Sequence, residues 1–88
     1  MNNAKEHIRD TIKLINNYLK RPEESITREI IERITYYINN IDVKKFLMKN
    51  PDIAQDLLDA IYQYIKFRHI VLKEEIEQNL KYVFSPPS

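Results

Sequence analysis

Not one of the 88 residues is glycine, whereas average usage is about 7%. Hairpin turns and many bulges need positive φ, which glycine supplies at the least steric cost. A sheet protein of this length is hard to close without it. The chain is therefore read as helices joined by short loops marked by proline and asparagine. The expected fold is all-α: a compact bundle of four to five helices around a long C-terminal helical segment.

That segment runs from Asn50 to Phe84. It opens Asn50-Pro51-Asp52, a helix-start signal with the cap, the N1 proline and the first-turn acid in order. From Ile53 to Phe84 there is no proline. Ala54, Leu58, Ile61, Ile65, Leu72, Ile76 and Val83 share one face, broadened by Ile53, Leu57 and Tyr64. The stripe slips at Arg68, which stands where an apolar residue belongs. Phe67 and Ile70 fall off the stripe. Either the helix is continuous with a second apolar surface, or it breaks near Arg68–Val71.

Three shorter segments precede it. Asn2 or Asn3 caps a helix to about Lys20, with Ala4, Ile8, Ile12, Ile15 and Leu19 in a stripe and Pro22 as its stop. His7, Leu14 and Tyr18 sit beside that stripe. Ser25 is the expected N-cap of a second helix. Its stripe is Ile26, Ile30, Ile34, Tyr37 and Ile41, widened by Ile31 and Ile38, and it ends at Asn39-Asn40. Arg28–Glu32 and Glu29–Arg33 are opposite-charge pairs four apart. Asp42 caps a short third helix with Val43, Phe46 and Leu47 on its apolar side. Ile34, Ile61 and Ile65 are expected in the core. Residues 1–84 read as a single domain and Ser85-Pro86-Pro87-Ser88 as an extended or disordered tail.

Charge narrows the function classes. Fourteen basic residues face 13 acidic ones, and neither half of the chain is polarised. A chain that works mainly on nucleic acid or anionic lipid usually carries a basic field. There is no cysteine, so disulfides, thiolate zinc sites and thiol catalysis are out. No apolar run approaches the ~20 residues of a membrane span. The start Met1-Asn2-Asn3-Ala4-Lys5 has no signal-peptide character. A cytoplasmic protein is expected.

Candidate chemistry is thin. Asp52, Asp56 and Asp59 share a helical side, yet no second carboxylate helix completes a cation cage. His7 and His69 lack convergent partners. A helix-turn-helix across Asn50 would present those aspartates to phosphate, which repels them. Lys44, Lys45 and Lys49, with Lys66 and Lys73, are the lysines available to a nucleic-acid backbone. No catalytic, cofactor or metal residue is identified, and no enzyme is expected. The aromatics say more. Tyr62, Phe67 and Ile70, rimmed by Lys66 and Lys73, with Tyr36 on the second helix, form the expected partner-binding set. Exposed aromatics ringed by charge suit protein interfaces.

These features together point to a non-catalytic protein–protein interaction module, an accessory subunit or adaptor of a larger assembly. In size, in lacking cysteine and glycine, and in its Ile, Lys, Asn and Tyr bias, the chain resembles the small helical accessory subunits of crenarchaeal replicative DNA polymerase holoenzymes. The residue bias reads as an AT-rich genome, that of a thermophilic archaeon or virus or of an AT-rich bacterium, and the resemblance implies an archaeal subunit that docks on a DNA polymerase and modulates its activity or stability in DNA replication. It carries no residue-by-residue motif. A small viral or plasmid protein binding a host factor, such as an anti-CRISPR, shares these features. A helical nucleic-acid-binding domain is a second functional class, and a homodimer through the helix faces is a third.

Overall fold

The computed structural model describes residues 3–84, with side chains through 81. Within them the chain forms four helices: α1 Asn3–Lys20, α2 Glu24–Asn39, α3 Ile41–Lys49 and α4 Pro51–Phe84. The tail Ser85–Ser88, a cap at Asn2 and the side chain of Val83 lie outside the described residues. α4 is a single unbroken helix of 34 residues, so there is no break at Arg68–Val71.

The connections follow local chemistry, with two corrections to the expected caps. Pro22 ends α1, and Glu23 is left extended, with its carbonyl accepting from Ile26 N and Thr27 N. Glu23, not Ser25, is therefore the N-cap of α2, and it makes no side-chain cap bond. At α3 the cap is Asn40 rather than Asp42. Its Oδ1 accepts from the amides of Asp42 and Val43, each at 3.0 Å, satisfying two of the orphan donors of a helix start. Asn50 serves two helices. Its Nδ2 donates to the Phe46 carbonyl at 2.8 Å, and its own carbonyl accepts the first α4 bond from Ala54 N.

α1 packs on α4 in the largest helix–helix contact and also on α2, while α3 bridges α2 to α4. α2 and α4 meet at most marginally. Two apolar clusters result. One joins Ile15, Tyr18, Ile30, Ala60 and Tyr64, and the other joins Ile8, Tyr37, Val43 and Leu57. Tyr18 crosses Tyr64 and meets Phe67 edge-on at a centroid distance of 5.6 Å. Glu29 and Arg33 form the expected pair at 2.8 Å.

The buried side of α4 differs from the expected one. It is Ile53, Leu57, Ala60, Tyr64, Phe67 and Val71, buried or half-buried at steps of 4, 3, 4, 3 and 4. At ~100° per residue this lies about a third of a turn from the aliphatic stripe. Ile34 and Ile61 are half-buried against the core, but Ile65 is 58% exposed and Leu58 59%. Ile31, Ile38 and Ile41 are likewise exposed. The physical reason is what α1 offers. Small Ala60 lets α1 approach, and Tyr18 needs ring faces, which Tyr64 and Phe67 supply. The slip at Arg68 disappears on this face: Arg68 sits at its edge and donates to Tyr18 Oη at 3.1 Å, its stem lying along the core.

Compactness holds at one end only. The molecule measures 64 × 22 × 19 Å with a radius of gyration of 17.0 Å, against about 12 Å for a compact chain of this length. From Leu72 to Lys81 every residue of α4 is exposed. The helix runs on past the bundle. No described helix is long and apolar enough to cross a membrane.

Candidate protein-interaction surface

Because α2 and α4 scarcely meet, a groove of about 610 Å³ is left between them, floored by α3. Ile38 on α2, Met48 on α3, and Ala54 and Leu58 on α4 are among its walls. Met48 is 83% exposed. Lys44 and Gln55 are the polar side chains at its edge. From Leu58 the apolar surface continues along α4 through Tyr62, Ile65, Leu72, Ile76 and Leu80, all exposed.

The expected partner-binding residues divide. Tyr62 is 67% exposed, Lys66 and Lys73 are exposed, and the three share one side of α4. Ile70 is 47% exposed and stands among the polar residues of the helix, roughly 80° round from Tyr62. Phe67 is not exposed as expected: it is half-buried on the inner side against Tyr18. Tyr36 is exposed, but it lies on α2 beside His7, with ring centroids 6.0 Å apart. It does not join the α4 residues. Leu58, Ile65, Leu72, Ile76 and Leu80 are exposed members that the expected set left out. Their spacing was visible in sequence, but an aliphatic stripe reads first as core.

The concentrated polar chemistry is where α1 meets α2. Arg33 donates to Thr11 Oγ1 at 3.1 Å, and Thr11 Oγ1 lies 2.6 Å from Tyr37 Oη. Tyr37 Oη lies 2.6 Å from His7 Nδ1. Thr11 also donates back to the His7 carbonyl at 3.0 Å. Thr11 and Tyr37 are buried, so the network satisfies groups that would otherwise be costly inside. Burial pushes the Tyr37 phenol above its ordinary value, opposed by Thr11 and Arg33. A shallow pocket beside it is lined by His7, Tyr36, Asn40 and Asp42. The arrangement ties α1 to α2.

Burial also raises the Tyr64 phenol. Tyr64 Oη and Thr27 Oγ1 are both buried without a partner at hydrogen-bonding geometry among the described residues, although Thr27 is close enough to act on the phenol. Asp52, Asp56 and Asp59 are exposed. No group of three or more His, Cys, Asp or Glu among the described residues could hold a metal ion. No family model matches the chain, and comparison with curated proteins and with solved structures gives no match.

Proposed function

We propose that the chain is a non-catalytic interaction module, a cytoplasmic accessory subunit or adaptor that presents an apolar face to a larger assembly. The observation that carries this reading is the groove between α2, α3 and α4 and its extension along α4. Contiguous apolar surface of this kind, rimmed by polar residues, is uncommon on a free monomer and common at docking sites. A helical face of a partner laid into a helical groove is the matching recognition mode. The resemblance to polymerase accessory subunits makes a replicative DNA polymerase the first partner to try.

The test pairs Met48→Asp with Leu58→Asp. Both side chains are exposed, so the fold should survive, as circular dichroism would report. The tagged parent chain should retain a stoichiometric partner from its native host, and the double variant should lose it. Salt-titrated binding to single- and double-stranded DNA supplies the counter-test. Binding that falls steeply with salt and ignores the double variant would replace this reading with phosphate binding by Lys44, Lys45, Lys49, Lys66 and Lys73.

A further inference from the structure

The half of α4 beyond the bundle sets the problem. An isolated helix shorter than ~12–15 residues is marginal in water, and Leu72 to Lys81 pack against no other helix among the described residues. They nonetheless carry three large aliphatics on one side. Tyr62, Ile65, His69, Leu72 and Ile76 recur at steps of 3, 4, 3 and 4, the spacing of a coiled-coil seam. All five are exposed. The seam begins on the half of α4 that the bundle supports and ends on the half that it does not.

We infer that α4 pairs antiparallel with α4 of a second copy, about a two-fold axis crossing between Ile70 and Val71. The inference rests on the proposed interaction face and names its occupant. In this register Ile65 meets Ile76 of the second copy, and His69 meets its Leu72. Leu80 of the second copy reaches Tyr62, and the last turn of that helix lies along Leu58, in the mouth of the groove. Each free half is thus laid on the supported half of the other chain. A closed two-fold pair of this kind uses the same patch on both copies.

Charge favours the same register. Arg68 faces Glu75 of the second copy on one flank of the seam, and Lys66 faces Glu77 on the other. Symmetry repeats both pairs. One kind of like-charge contact remains, Lys66 beside Lys73 of the second copy, also repeated by symmetry, and it provides a test. The area is also sufficient. Tyr62, Ile65, Leu72, Ile76 and Leu80 are about half to two-thirds exposed. Their full burial would remove about 500 Å² per copy, or about 1,000 Å² in all, and the flanking stems of Lys66, Arg68, His69 and Lys73 bring the pair to the ~1,200 Å² lower bound of a standard stable interface.

The experiment uses the full chain. Sedimentation equilibrium should give twice the 10.7 kDa chain mass. Leu72→Asp should raise the dissociation constant at least about 30-fold, since it sets a charge in the seam, while the circular dichroism of the bundle persists. Lys73→Glu should lower it by roughly 3- to 10-fold, by exchanging the like-charge contact for a pair with Lys66. Direction is read by thiol cross-linking, because the chain has no cysteine of its own. Ile65→Cys mixed with Ile76→Cys should cross-link with a short bis-maleimide, and neither should do so alone. In an antiparallel pair the two copies of position 65 stand about 16 Å apart along the helix.

A chain that stays at monomer mass at every concentration overturns the pairing, as does cross-linking of Ile65→Cys to itself. The two proposals fail separately. A monomer that captures a host partner, and loses it with the Met48 and Leu58 changes, keeps the interaction reading and ends the dimer. A dimer that captures nothing supports the pairing and ends the accessory-subunit reading.

Discussion

The two halves of α4 belong to one unbroken helix and have opposite circumstances. From Ile53 to Val71 one side is covered by α1 and α3, with Leu57, Ala60 and Tyr64 buried. From Leu72 to Lys81 nothing is covered. Aliphatic content does not distinguish the halves. The supported half leaves Leu58, Tyr62 and Ile65 in the open while it buries an alanine and a tyrosine. Burial here follows the shape that α1 presents, and the most hydrophobic side of the helix is left over. That remainder makes α4 a surface as well as a support.

The largest expected effect tests the covered half against the free one. Ile15 is fully buried against Ala60 and Tyr64. Ile15→Ala should cost ~2–5 kcal/mol in chemical denaturation. Ile76→Ala, measured where the chain is monomeric, should cost less than about 0.5 kcal/mol. Similar losses at the two positions would break the distinction between the halves.

Phe67 comes next. It is the residue on which the expected surface and the observed core disagree. Phe67→Ala should cost about 2 kcal/mol, below the ~3–5 kcal/mol of a fully buried phenylalanine because the ring is only half-covered. A loss under roughly 0.5 kcal/mol would put the ring outside, where the bare spacing placed it.

A third expectation concerns pH and sharpens the covered side alone. Tyr37 and Tyr64 have phenol values raised by burial. The folded state then holds their protons more tightly than the unfolded chain does. Their contribution is fully present below the unfolded value of about 10. It is lost as pH climbs through the raised folded values, so stability falls with rising pH in that window. Tyr64→Phe should flatten part of that fall. Every other titratable group is common to both proteins, so the difference isolates the phenol. An unchanged slope would show that Tyr64 reaches water.

Much of this was legible in the sequence. The absence of glycine, the Pro22 stop and the Asn50-Pro51 junction locate four helices to within a residue or two. The stripe on α1 is right about Ile8 and Ile15 but omits Thr11, since a hydroxyl does not look like core until its partners Tyr37 and Arg33 are known. The face of α4 was not legible. Periodicity shows that a helix has an apolar side. It does not show which of two apolar sides a neighbour covers when one is aliphatic and the other mixes Ile53, Leu57 and Val71 with an alanine and two aromatics. Arg68 was the usable clue. A charge in the middle of a proposed core stripe means that the stripe is misplaced, or that the charge has a hydroxyl to reach, and here both hold. The exposure of Tyr62, Lys66 and Lys73 was legible because charge rims an aromatic off the stripe. That of Leu72, Ile76 and Leu80 was not, because it depends on where the bundle stops.

The smallest effect is expected at Ile70, and it decides which side of the free helix matters. Ile70 is exposed and lies about a third of a turn from the Leu72–Ile76 seam at ~100° per residue. Of its neighbours three and four residues away, Lys66, Lys73 and Glu74 are charged and Phe67 is half-buried against Tyr18, so Ile70 is a single apolar residue on a polar side, which is ordinary for a surface helix. In the antiparallel pairing it sits level with the two-fold axis but faces away from it. Ile70→Ser should therefore change stability by less than about 0.5 kcal/mol and leave the monomer–dimer equilibrium within roughly a factor of two, which is under ~0.5 kcal/mol. A tenfold weakening would instead rotate the interface toward Lys66, Ile70 and Lys73. The aliphatic seam would then be surplus, and the partner-binding side would be the one that exposed aromatic and lysine residues first marked out.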